Sequence, residues 1–517
     1  MRKKIYKWHR TLSLIIAIPV ILWAVSGFMH PVMTNIRPGI ASQTYALPPI
    51  DSGQLKVPLG RALEAHGITV FTNLHIVQMG GQQFYQVLMD TAHQDIRYIS
   101  TVSGRLLQDG DRLYAQFLAR KFLSGSGNKT VQEPEAVSDM DCCVRAALNV
   151  ENSPGAKISG VKKLTRFEGA YKYINRLLPV YEVSFNRADG IRVYVETAES
   201  RYAYAVDDRR IAFDHFFGWF HTWEWMNALG SAKYFFMVLI TAIALLTTLM
   251  GLYIFFTTKT KKAGTPLLKA RRNHRYTSVV AAMFTLMFTF SGGFHALKSA
   301  LPGEPLPAAR PLRFSAPAIR FDFAKLNAIA GYQGICRLSL CRIGNSTYWQ
   351  VQPYVQQPDQ PADLMKSMSV QPDPVLYIDA EKDQLLQQGD SLYAVYLAQV
   401  FNKNRPGTID SVSRVNRFTD EYNFINKRLP VWKVSFATKG HERFYIETKT
   451  GVLAADIRDQ DLIEGYSFAL LHKHHFMDWG GKTLRDISTC FGAGMQIVLV
   501  VVGLILYSRA RKKKRTV

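Results

Sequence analysis

A chain of 517 residues with 63 Lys and Arg against 40 Asp and Glu, net +23, would ordinarily point to nucleic acid. The placement of the charge excludes that: 18 of the 23 excess charges lie in three short acid-free segments, each beside an apolar run. No Rossmann fingerprint, flavin motif, Ser-His-Asp set or carboxylate pair stands out, which leaves nicotinamide, flavin and hydrolytic chemistry unsupported.

Taken in order, the basic tip MRKKIYKWHR precedes a first apolar span within residues 1–33, whose core runs over 11–33. That run is long enough to cross a bilayer, and no small-x-small cleavage site closes it, so a retained span is expected rather than a signal peptide. Residues 34–231 predict a soluble domain. Alternating, β-branched and aromatic runs such as FYQVLMD, VYEVSFN and IRVYVET read as strands, and GRALEAHG as a helix. A second span (232–257), a basic linker (258–275) and a third span (276–298) follow. The second soluble domain, 299–486, holds the strands VWKVSFA and RFYIET, the helix SLYAVYLAQVF and a glycine turn in ETKTGVLAAD. A fourth span (487–508) and a basic tail (509–517) end the chain. Basic flanks on the tip, linker and tail predict that both termini are cytoplasmic and both large domains lie outside the inner membrane.

The two halves resemble each other. TRFEGAYKYINRLLPVYEVSF (165–185) matches NRFTDEYNFINKRLPVWKVSF (416–436) at an offset of 251. RYISTVSGRLLQDGDRLYAQFLARKF (97–122) matches LYIDAEKDQLLQQGDSLYAVYLAQVF (376–401) at an offset of 279, which places an insertion near 125–155 in the first half. The expected fold is therefore a four-span α-helical membrane protein with two α+β outer domains. The halves form an internal parallel duplication about an axis along the membrane normal.

Histidines mark the repeat. His9 and His274 begin spans one and three, and SGFMH and SGGFH end them at His30 and His295; each pair is 265 residues apart. Twenty-one residues separate the two histidines within a span, about 31 Å of straight helix and about 5.8 turns, so both point to roughly the same face. Facing spans would set His9 opposite His274 and His30 opposite His295. Each pair could give two axial imidazoles to the iron of one non-covalent haem b, two haems in all, with no open iron position. Gly27 and Gly292 would admit a flat macrocycle or simply close helix packing. His221 and His472, related by 251, are rivals for the outer level, pairing with His30 and His295 respectively. His472, His474 and His475 could instead bind a bare metal ion. His66, His75, His93, His215 and His441 read as ordinary surface or core residues, and Trp8, Trp23, Trp219, Trp223 and Trp225 as interfacial belts. Cys142, Cys143, Cys336 and Cys341 would lie in an oxidising compartment as free or disulfide-bonded structural thiols; Cys490 reads as a small apolar residue of the last span.

Four spans, two outer domains and strand pairs such as YIETKTGVL resemble the PepSY-associated transmembrane proteins, as do LHKHHF and FHTWEW ahead of spans four and two. The resemblance covers nearly the whole chain. It implies PepSY-like domains and, through members that reduce ferric siderophores with haem in the inner membrane, an oxidoreductase that releases iron outside the cytoplasm. Its electron donor would be membrane quinol or a cytoplasmic reductase. The alternative is a non-enzymatic membrane protein whose domains bind a peptide, a peptidase or a signal ligand. A transporter is disfavoured by spans nearly free of interior charge.

Overall fold

A computed structural model describes residues 2–35, 38–40, 42–124, 157–260, 264–301, 306–307, 312–355, 370, 373–402 and 407–515. The insertion near 125–155, with Cys142 and Cys143, lies outside them. The chain divides into two compact units, one built from 1–37, 209–305 and 459–517 and the other from 38–208 and 306–458.

The first unit contains four helices long and apolar enough to cross a membrane, the signature of a multi-pass membrane protein. They are α1 (Arg2–Asn35), α3 (Ala232–Thr257), α4 (Pro266–Ala300) and α6 (Gly481–Arg515), and two shorter helices, α2 (Asp208–Phe220) and α5 (Asp459–Ser467), pack with them. Three of the four run past their apolar segments because Lys and Arg stems can lie along apolar surface while their charged heads reach water. The linker shortens accordingly: α4 begins at Pro266, capped by the Thr265 hydroxyl accepting from the Leu268 N–H at 3.3 Å, so His274 is helical. One end of the bundle is tied by side chains reaching other helices' carbonyls. Arg2 donates to Thr257 O at 3.3 Å and Arg509 to Pro266 O at 2.9 Å. We call this the terminal end, and the opposite one the domain end. The soluble segments close at Asp208 and Arg458 instead of 231 and 486, because α2 and α5 belong with the membrane helices.

The second unit corrects the expectation of two separate soluble domains. Each half supplies an antiparallel sheet (Asn73–Met79, Gln82–Leu88, Ile96–Ser100; and Ile335–Ile343, Ser346–Pro353, Leu376–Asp379, Leu385–Leu386). A second, four-stranded sheet follows in each (Ile158–Val206 and Ile409–Ile457), with the helix Gly110–Ser124 or Gly389–Phe401 packed on it. The repeated INRLLP and INKRLP segments both end in cis prolines, Leu178–Pro179 and Leu429–Pro430. One apolar core draws on both halves, with Phe71, Leu74 and Tyr85 beside Phe314, Leu338 and Trp349, while each half keeps a further core of its own between its helix and its four-stranded sheet. Beside it runs a buried ionic seam. Arg201 bridges Glu196 (3.3 Å) and Glu447 (2.7 Å), Arg428 pairs with Glu447, and Arg337 holds Glu199 at 2.6 Å, with Lys449 at 3.4 Å and His75 at 3.9 Å. Burial alone would raise the Glu199 carboxyl, but Arg337, with Lys449 and His75, holds it down at about 2. The four-stranded sheets are covered by the helix of their own half, while the first sheets of the two halves share one apolar core. Cys336 and Cys341 are buried free thiols of one strand, with Cys336 at a β-bulge.

Candidate functional site

At the domain end, two histidines approach each other. His221 follows α2, its N–H donating to Phe217 O at 2.8 Å, and the Phe217 ring stacks on the imidazole at 4.4 Å and 16°. His472 ends a π-helical turn (Phe468–His472) after α5, and Phe468 stacks on it at 4.7 Å and 11°. Five-residue bonds recur in both places, Thr222 N–H to Phe217 O at 3.4 Å and Lys473 N–H to Phe468 O at 3.1 Å. Such π-type turns are frequent at functional positions because they re-aim one side chain. The two imidazoles lie 6.0 Å apart, centroid to centroid, with planes at 81°.

Each ring is held in one tautomer. Ser26 and Ser291 are almost fully buried, and each hydroxyl donates to the carbonyl four residues back (Leu22 at 2.6 Å, Met287 at 2.8 Å). The single hydroxyl hydrogen being used, Ser26 Oγ accepts from His221 Nδ1–H and Ser291 Oγ from His472 Nδ1–H, both at 3.1 Å. Nε2 of both rings is thereby left with its lone pair. The ring edges rest on glycine: a Cβ at Gly27 would meet His221 Cε1 at 3.7 Å, and one at Gly292 would meet His472 Cε1 at 3.6 Å. Burial lowers the His221 imidazole to about 4 and pushes His472 well below its ordinary value, so both are neutral at physiological pH. Trp23 stacks on Trp223 at 5.0 Å and 7° and donates from Nε1 to His221 O at 3.0 Å. Their counterparts, Phe288 and His474, stack at 5.4 Å and 3°.

A second level lies at the terminal end. His9 Nδ1 bonds Thr247 O at 3.1 Å, and because a carbonyl only accepts, His9 carries its proton on Nδ1 and its lone pair on Nε2. A Cβ at Gly251 of α3 would stand 3.2 Å from His9 Cε1, and one at Gly503 of α6 would stand 3.6 Å from His274 Cε1. His274 Nδ1 is buried with no hydrogen-bond partner among the described residues. His9 and Gly27, like His274 and Gly292, are eighteen residues apart on one helix, so the two levels are separated by about 27 Å of helix.

His30 and His295 meet other partners. The His30 ring lies 5.3 Å from Phe217, while His295 lies 4.8 Å from Phe468, is half exposed and pairs through Nδ1 with Glu464 at 2.5 Å. The outer ring-to-ring contact therefore joins His221 to His472. The expected facing of His30 and His295 assumed a straight α1, but Pro19 and Pro31 lie within that helix and each removes a backbone bond. His474 bonds Ser488 through Nδ1 at 2.9 Å and His475 faces Asp478 at 3.5 Å, so they turn away from His472. Among the described residues no three His, Cys, Asp or Glu side chains gather as a cage for a bare metal ion. A haem asks less of the protein, two axial nitrogens, since the porphyrin supplies the other four. Here two pairs of imidazoles on two levels stand with free Nε2 at three of the four, and two imidazoles about 2 Å from one iron have centroids about 6 Å apart, close to the His221–His472 spacing. The residues fit the group.

Sequence reasoning passed over Ser26 and Ser291, although both open the repeated SGxxH motifs, and over Phe217, Phe468, Gly251 and Gly503. The phenylalanines were visible as the 251-offset partners four residues before each histidine. Comparison with protein-family models and with curated proteins finds no match for this chain.

Proposed function

We propose that this protein is an inner-membrane electron-transfer protein that holds two b haems and reduces an acceptor outside the cytoplasm, most simply a ferric siderophore. The observation that carries the reading is the twofold setting of the four histidines. On each level two imidazoles rest against glycines of neighbouring helices, and three of the four have Nδ1 committed to an acceptor. Metal-ligating histidines characteristically donate their other ring N–H to such a partner, which fixes the ring and strengthens Nε2 as a ligand. His9 and His274 would hold the inner haem, His221 and His472 the outer one. When bound between such imidazoles, haem would supply one-electron transfer.

This chain's own residues orient those imidazoles, exclude water and set the local polarity. Phe217 and Phe468 cover the ring faces, and Ser26 and Ser291 hold the protons at Nδ1. The basic flanks support a cytoplasmic terminal end and an internal parallel duplication with PepSY-like domains outside. The resemblance of spans and domains supports the siderophore, whose hard oxygen ligands hold Fe(II) less well than Fe(III). Oxidised and dithionite-reduced spectra with a haemochrome count test the proposal: two low-spin haems per chain are expected, falling to one in His9→Ala and in His221→Ala. A colourless protein from haem-replete cells would overturn it.

A further inference from the structure

Beside the outer histidines, α1 and α6 enclose a groove of about 690 Å³. Phe28, Pro31, Val32 and Asn35 form its α1 wall at helical spacing, and the α6 wall runs from Lys482 to Val498, about 24 Å of helix. Only one end is polar. There Lys482 Nζ donates to Asn35 Oδ1 at 2.8 Å and pairs with Asp486 Oδ2 at 2.5 Å, while Asn35 Nδ2 donates to the same Oδ2 at 3.2 Å. Asp486 Oδ1 makes no hydrogen bond among the described residues and stands as an open acceptor.

We infer that this groove is a binding site for an isoprenoid quinol, the electron donor to the outer level; the inference rests on the function proposed above. The charge at the polar end decides the occupant. Lys482 and Asp486 neutralise each other, so a phospholipid phosphate would gain no net cation and would meet a carboxylate. A neutral hydroquinone ring offers a hydroxyl donor to Asp486 Oδ1, whereas Lys482 is already committed to Thr34, Asn35 and Asp486, and a polyprenyl tail matches a long apolar groove. The site also lies where a donor is needed. Phe28 adjoins Gly27, which touches His221, and Asp486 is within electrostatic range of His30. Oxidation of the hydroquinone to the quinone breaks its two O–H bonds and releases two protons and two electrons. Asp486 would take the protons in turn and pass them to outer water, and the two electrons would leave one at a time toward the one-electron acceptors that His221 with His472 and His9 with His274 would hold.

Gly494 lines the groove, and a Cβ there meets nothing within 4 Å, so the side chain of Gly494→Leu starts into open space and occupies the groove. The full chain in phosphatidylethanolamine–phosphatidylglycerol nanodiscs would be photolabelled with an azido-benzoquinone bearing a decyl tail, a readout independent of haem. Labelling on α1 and the first half of α6 is expected, reduced at least tenfold by Gly494→Leu and by Val498→Trp, each checked for unchanged elution volume. Asp486→Asn should slow haem reduction by decyl-quinol at least tenfold while leaving the dithionite-reduced spectrum unchanged. Labelling indifferent to both groove-filling variants, or displaced equally by added phospholipid, would show an acyl-chain groove only and overturn the inference. A colourless protein that is still labelled in the groove would defeat the electron-transfer reading and the donor role, leaving quinone binding alone.

Discussion

Replacing Ser26 by alanine isolates the one hydrogen bond that fixes His221. The hydroxyl is buried and accepts from Nδ1–H at 3.1 Å while its own hydrogen goes to Leu22 O. Alanine removes the acceptor and leaves a buried N–H unpaired, a loss of about 1–3 kcal/mol. At about 1.4 kcal/mol per decade, that is a weakening of roughly 5- to 100-fold in the grip on an axial ligand, the range typical when the second partner of a metal-bound histidine is removed. The assay is competition for haem between the purified protein and excess apomyoglobin, read in the visible, together with the reduction potential of the outer haem. Ser26→Ala should release one of two haems at least fivefold faster and raise that potential, since a less basic imidazole stabilises Fe(III) less. Ser291→Ala should do the same through His472. Ser13→Ala is the control, because Ser13 donates to His9 O at 2.6 Å and touches no imidazole nitrogen. Wild-type haem retention and potential in both Ser26→Ala and Ser291→Ala would refute the assignment of the outer pair.

Two further outcomes follow from the geometry. Gly251→Ala places a methyl 3.2 Å from His9 Cε1, closer than rings normally tolerate, whereas at Gly503 the distance to His274 is an ordinary 3.6 Å; the first should shift the inner haem's low-spin EPR signal and the second should not. In the second unit, burial and then Arg337 hold the His75 imidazole down to about 3, so the unfolded chain binds one more proton than the folded one between about pH 6.5 and 3. Stability should therefore fall as pH falls through that window, by about 1.4 kcal/mol per pH unit from this residue, and His75→Gln should flatten the fall in urea midpoints measured at pH 7, 6 and 5.

Much of this architecture is legible in the sequence because hydropathy and strand alternation are local signals. The spans, the strands VYEVSFN and VWKVSFA and the helix SLYAVYLAQVF all stand near where periodicity puts them. What depends on rotation about a helix axis is not legible. His30 and His295 share a motif, yet their rings lie against Phe217 and Phe468 while His221 meets His472, a contact between segments 251 residues apart that no periodicity marks. Ser26 was in plain view, but its role needs a partner 195 residues away, and nothing in the strand pattern distinguishes two separate domains from two halves joined through a shared core.

The ionic seam of the second unit is lopsided in a way that bears on the chain's history. Glu196 and Glu447 occupy matching positions, but the cations do not: Arg201 corresponds to Val452, Lys449 to Ala198, and Arg428 to Leu177. Two copies of the first half would leave Glu199 with His75 and Arg201 but without Arg337 or Lys449, the two cations that lower its carboxyl most. Neither half can stand in for the other. If the chain began as a self-pairing single unit, these exchanges act as a ratchet: once the cations had drifted to opposite sides, separation back into identical subunits was closed, and each half became free to specialise.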